Sequence, residues 1–148
     1  MAKRAKRRKP IPETPTCNCV LLCDDVVHSA RGKHSLIGVI GMIAVAQFPA
    51  VIGGYVTYVR LSNLYPNQKA HIELERAEDG FVVFRFEVRL EQADPLGVYT
   101  LVAVVPPFQV DQPGRYVFQA VAGGVPLAQS PIEIVGAQGP AEGEGRGR

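Results

Sequence analysis

Apolar residues recur at every second position along much of this chain, and that period decides the class of fold. The clearest case runs from Phe81 to Leu90. There Val82, Phe84, Phe86, Val88 and Leu90 share one face, while Val83, Arg85, Glu87 and Arg89 share the other. Strict alternation of this kind belongs to a strand with one buried face. The preceding stretch alternates too, with Ile72 and Leu74 set between His71, Glu73 and Glu75, and Asp79-Gly80 marks a turn between the two. Parity chooses how they pair. A two-residue loop would set Leu74 against Arg85, an apolar side against a polar one. A three-residue loop, Glu78-Asp79-Gly80 with Gly80 left-handed, sets Leu74 against Phe84 and Ile72 against Phe86. The same register places Glu73 opposite Arg85 and His71 opposite Glu87 on a solvent face, as opposite-charge pairs.

Six further runs read as strands: Cys17 to Val27, Leu36 to Val45, Tyr55 to Leu61, Val98 to Val105, Arg115 to Val121 and Leu127 to Val135. Turn residues separate them at Arg31-Gly32-Lys33, Phe48-Pro49, Tyr65-Pro66-Asn67, Asp94-Pro95-Leu96-Gly97, Pro106-Pro107 and Gly123-Gly124. In the last hairpin a Gly-Gly loop pairs Leu127 with Ala120 but leaves Ile132 and Ile134 on the wrong face, so a bulge is expected near Ser130-Pro131. No stretch carries a helical apolar stripe. The expected fold is all-β, an antiparallel β-sandwich of about seven or eight strands. Ahead of the penultimate strand, Asp111, Gly114 and Tyr116 stand in the spacing of a tyrosine corner, and the hairpin that follows is immunoglobulin-like in pattern.

Between His34 and Arg60 lie 25 uncharged residues, long enough for a membrane helix. Pro49 at the centre, Gly53-Gly54 and Gln47 argue instead for two buried strands joined by a turn at Ala46 to Ala50, so no membrane span is expected. Nor does the order of the basic tail, Asp24-Asp25 and the apolar run fit a signal peptide.

Charge changes the picture at the ends. The chain of 148 residues has a formal net charge of +2. Lys3, Arg4, Lys6, Arg7, Arg8 and Lys9 crowd the first nine positions, which leaves the body between the tails mildly acidic. A block of like charges repels itself and stays disordered. It supports two readings. One is a tether that neutralises nucleic-acid phosphates, without aromatic residues for base stacking; a localisation signal or an anionic membrane surface draws on the same charge. The other is a solvated end that aids solubility. The expected boundaries are a disordered basic tail over 1–15, a sandwich over 16–136 and a flexible tail over 137–148. An apolar share of 47% excludes disorder of the whole chain, and the composition excludes a coiled coil.

Leu21-Leu22-Cys23-Asp24, Gly32-Lys33, Leu36-Ile37-Gly38-Val39 and Phe48-Pro49 form a pattern of an LLCD strand, a GK turn, an LxGV strand and FP. In this the chain resembles a family of small uncharacterised bacterial β-sandwich proteins, over Val20 to Ile134. The resemblance implies the sandwich and no assigned activity. Cys17, Cys19 and the six-charge tail depart from the pattern.

Cys17, Cys19 and Cys23, with His28 behind them, have the residue types of a zinc site. On one face of an extended strand the first and last thiols would sit about 20 Å apart, too far for one ion. They are expected to be buried free thiols, with no metal and no cofactor. An odd cysteine count without a secretory signal points to a reducing compartment, the cytoplasm. Asp24, Asp25, His28, Arg31, Lys33 and His34 cluster around the first hairpin, and loops on a rigid sheet carry function. Acid–base or metal chemistry there is one alternative. No nucleophile elbow, phosphate loop or dinucleotide fingerprint occurs in the chain. The leading expectation is therefore a non-catalytic interaction or structural module. It would use a sheet edge or the loop from Val27 to Ser35, with a protein partner or a second copy.

Overall fold

The computed structural model describes residues 15–63, 69–89 and 97–137, and every helix-free run of regular structure among them is a strand. In chain order these are β1 (Thr16–His28), β2 (His34–Val39), β3 (Met42–Val45), β4 (Ala50–Ile52), β5 (Val56–Ser62) and β6 (Ala70–Arg76). They continue as β7 (Val82–Val88), β8 (Val98–Val104), β9 (Phe108–Val110), β10 (Gly114–Ala122) and β11 (Val125–Gly136). One sheet has the order β2-β1-β5-β8 and the other β3-β11-β10-β6-β7; β4 and β9 pair separately. All pairings are antiparallel except β3 with β11. The two larger sheets share one core. Val20, Leu22, Val59 and Leu61 come from the first, and Ile72, Leu74, Tyr116, Phe118, Ile132 and Ile134 from the second. Ser130 Oγ also donates across the gap to the Val20 carbonyl at 2.6 Å.

The long run Leu36 to Val45 is two strands. It leaves the first sheet after Val39 and joins the second at Met42, which is how one apolar segment serves both layers. Within β2, shortly before that crossing, Gly38 has a φ of +63° and lies so close to Asp24 Oδ2 that a Cβ there would overlap it. The uncharged run between His34 and Arg60 is thus spent on β2, β3, β4 and part of β5. Among the described residues no helix is long and apolar enough to cross a membrane. Sequence periodicity missed β4 and β9, three-residue strands too short to show a period; their Ile52, Phe108 and Val110 cap the core.

The β6–β7 register is the expected one, with Ile72 opposite Phe86, Leu74 opposite Phe84, Glu73 opposite Arg85 and His71 opposite Glu87. The loop is not. Arg76 N–H donates to the Phe81 carbonyl and Gly80 N–H to that of Arg76, so four residues turn the chain and a bulge beside Glu75 restores parity. In β10–β11 the expected extra residue exists but sits earlier than Ser130-Pro131. The register shifts beyond Ala120, where Leu127 is left over, and Gly123-Gly124 forms the two-residue loop with φ of +59° and +77°. The bulge leaves Leu127 without a partner in the ladder and raises the local twist of the hairpin.

The corner at Tyr116 has the expected geometry. Its ring is fully buried and its hydroxyl donates to the Gln112 carbonyl at 2.6 Å. Tyr116→Phe removes the donor and leaves that carbonyl without its partner. The expected cost is about 1–2 kcal/mol, read as a lower urea midpoint with an unchanged slope.

Candidate functional site

Three places gather chemistry: the first hairpin, the outer face of the second sheet, and the open edge at β8. In the hairpin, Ser29 N–H donates to the Lys33 carbonyl and Lys33 N–H to Ser29 Oγ, which closes the turn at Arg31 and Lys33. Asp25 Oδ1 accepts its neighbour's amide, from Val26. His28 and His34 face one another edge-on, with ring centroids 4.8 Å apart, and His34 lies 5.5 Å from the Tyr58 ring. That last contact fixes where the hairpin lies. Tyr58 pairs with Leu21 and His34 with His28. Straight continuation of β1 would separate those two positions by about 23 Å. The hairpin therefore bends back over the outer face of its own sheet, at Asp24 and Gly38. The half-buried Val26, His34 and Leu36 line its underside, and Val27 and Ile37 remain exposed on top. This explains why Cys23 (0% exposed) and Tyr58 (9%) are buried although neither belongs to the shared core. Burial, with Asp24 nearby, raises the Tyr55 hydroxyl above its ordinary range.

Of the expected loop residues, the structure brings His28 and His34 together and leaves Asp24, Asp25, Arg31 and Lys33 exposed. Among the described residues no group of three or more His, Cys, Asp or Glu side chains converges to hold a metal ion. The cysteines also differ from the expectation of a common face. The register shifts between Cys17 and Cys19, so Cys17 packs against the core while Cys19 and Cys23 point to the other side. Burial, with a smaller contribution from Cys19, pushes the Cys17 thiol up to about 11, and burial raises Cys23 as well. Both are protonated near neutrality and poor nucleophiles. Lys3, Arg4, Lys6, Arg7, Arg8 and Lys9 lie outside the described residues, as does the end beyond position 137.

On the outer face of the second sheet, four strands carry a polar row in register: Gln129 on β11, Gln119 on β10, Glu73 on β6 and Arg85 on β7. Gln129 Nε2 donates to Gln119 Oε1 at 2.8 Å, and Gln119 Nε2 donates to Glu73 Oε1 at 2.7 Å and to Glu75 Oε2 at 3.2 Å. Arg85 donates from Nε and Nη2 to Glu73 Oε2 at 2.9 and 2.8 Å, and His71 Nε2 stands 3.2 Å from the same oxygen. Glu73 was expected on a solvent face, yet it is only 4% exposed. Its neighbours across the sheet fold over it, and Gln119, ten positions before its β11 partner, gave no alternating-pattern signal that it would. Burial alone would raise the Glu73 carboxyl; the hydrogen bonds from Gln119 and Arg85 and the charges of Arg85 and His71 outweigh it and hold the group below the usual range. With both oxygens engaged, this row reads as an internal clamp on four strands.

The third place is β8, Val98-Tyr99-Thr100-Leu101-Val102-Ala103-Val104, seven residues without a charge. It ends its sheet, pairing with β5 on one side only among the described residues. Its alternate bonds can be counted from both ends. Val105 N–H donates to the Tyr55 carbonyl, so the odd-numbered residues of β8 face β5. Counting from the far side, Ile40 N–H donates to the Leu22 carbonyl, which turns the even residues of β1 toward β2, the odd ones toward β5, and the odd residues of β5 toward β8. The two counts agree. Val98, Thr100, Val102 and Val104 aim their N–H and C=O groups at the open edge, and Val104 is 75% exposed.

With this geometry in view, comparison with known families gives one match: a family described as of unknown function, DUF6941, over residues 18–135. The chain belongs to that family. DUF6941 thus spans nearly the whole described body, from Asn18 within β1 to Val135 within β11, and leaves both tails outside. No curated protein sequence matches the chain.

The Glu73 clamp generates a test with a defined sign. A carboxylate held low in the folded state stabilises fully above its unfolded value near 4.5, and that stability is lost as pH falls through the folded value. Wild-type stability is expected to decline below about pH 4.5 and Glu73→Gln to flatten this part of the profile. Glu73→Ala, which also strands Gln119 and Arg85, is expected to cost about 2–3 kcal/mol at neutral pH by urea unfolding. Arg85→Ala should cost less, because its guanidinium is half in water.

Proposed function

We propose that the DUF6941 domain of this chain is a non-catalytic interaction module that binds an extended segment along the open edge of β8. The observation that carries the reading is the contrast between its edges. Among the described residues Arg76 Nε is the one buried side-chain polar atom without a partner, whereas β8 offers a whole row of backbone groups that no described strand pairs, flanked on both faces by mostly apolar side chains. Soluble domains ordinarily protect such an edge with charges, proline or a bulge. β7, the far edge of the second sheet, carries Arg85 and Glu87; β3 is four residues long. β8 has a full seven-residue register with β5 and none of these devices. Main-chain hydrogen bonds would supply affinity there and the alternating side chains selectivity.

An immunoglobulin-like plan accords with this role. It is supported by the order β11-β10-β6-β7, by the β1-β5-β8 neighbourhood and by the Tyr116 corner, which correspond to the G-F-C-C′ and A-B-E arrangements of such domains. Titration of the labelled protein with a seven-residue threonine–valine peptide, lysine-flanked for solubility, tests the proposal. Amide shifts are expected to concentrate in Val98 to Val104 and in their β5 partners. Saturable shifts confined to another surface, or none, would contradict it.

A further inference from the structure

We infer that the natural occupant of the β8 edge is a second copy of this chain, paired antiparallel about a two-fold axis at Leu101. The inference rests on the edge-binding reading above and adds the identity of the partner.

A strand that pairs with its own copy must be compatible with itself in two respects, backbone phase and side-chain chemistry. Backbone phase is met. The outward-facing residues are Val98, Thr100, Val102 and Val104, and the two-fold register about Leu101 sets Val98 against Val104 and Thr100 against Val102. Each outward N–H then meets an outward C=O, and all seven residues of β8 are paired. A register slipped by one residue would bring outward groups against the inward-bonded ones and make no ladder. Side-chain chemistry is met as well. Leu101 meets Leu101 and Tyr99 meets Ala103 on the side facing the core, while only Val and Thr meet on the outer side. Tyr99 and Leu101 are half-buried and already pack against the core, so the pairing would join two cores.

The remaining edges fail one condition or the other. β7 paired with itself over its full length puts Arg85 opposite Arg85. β2 is interrupted by Gly38 at φ +63°, and its hairpin is bent over the sheet. β3, β4 and β9 hold four residues or fewer. One self-compatible edge per copy closes into a pair and cannot propagate a fibre. The contact is a strip about 23 Å long and one sheet thick, roughly 250 Å² per copy, well under the ~800 Å² of a stable complex. The pair is therefore weak, with a dissociation constant of about 10–500 μM.

Sedimentation velocity of the full chain across that concentration range reads the inference directly. Wild type is expected to shift from monomer to dimer and no further. Thr100→Lys combined with Val102→Lys places lysine against lysine twice across the axis and is expected to weaken association at least ~10-fold. Val102→Pro, which removes an outward N–H not used by β5, provides an independent variant with the same expected direction. Circular dichroism of each variant confirms the fold. Val82→Lys on β7 is expected to leave the dimer unchanged. A chain that stays monomeric throughout overturns the second-copy inference; the edge-binding reading falls with it only if the threonine–valine peptide also fails to bind β8. A dimer that survives both β8 variants, or growth beyond two copies, overturns it too.

Discussion

The phase of backbone hydrogen bonding is the constraint on which the rest depends. In an antiparallel sheet each residue commits its N–H and C=O to one side, and the next residue commits to the other. Once Ile40 bonds Leu22 at one margin, the commitment passes through β1 and β5 without a free choice and emerges at β8. The same parity decides which side chains face the core. Inward Leu101 and outward Val102 are thus consequences of pairings made three strands away.

The two sheets resolve their outward faces in different ways. The second sheet covers itself with a polar layer in which Glu73, Gln119, Gln129 and Arg85 answer one another across four strands. A slip of one residue in any strand would break that row and expose an apolar one, so the layer specifies register as much as it stabilises. The first sheet has no such layer. It buries Tyr58 and Cys23 beneath a bent hairpin and leaves β8 beyond the hairpin's cover. The polar row of the second sheet is engaged within the fold, and the surface we propose for a partner is the backbone edge of β8.

Much of this was legible in the residues. Alternation from Ile72 to Leu90 yielded the β6–β7 register pair by pair, and Tyr116 with Gly114 and Asp111 marked the corner. What escaped reading has physical causes. Bulges displace a strand by one residue without a residue type of their own: the one expected near Ser130-Pro131 lies at Leu127, and those at Val83 and Asn18 were not expected. The division of Leu36 to Val45 between two sheets falls at Ile40-Gly41, inside an apolar run whose pattern does not show a break. The burial of Glu73 needed Gln119 as a neighbour, a contact between positions 46 apart in the chain. The hairpin residues Asp24 to His34 were found as a cluster, but their folding back onto Tyr58 reflects a bend that period-two patterning does not encode.

Amide hydrogen exchange along β8, measured well below the concentrations at which the inferred pairing would form, probes the backbone phase at its end point. Val98, Thr100, Val102 and Val104 are expected to exchange rapidly, with Tyr99, Leu101 and Ala103 between them protected by β5. Uniform protection along the strand, or the opposite alternation, would contradict the account.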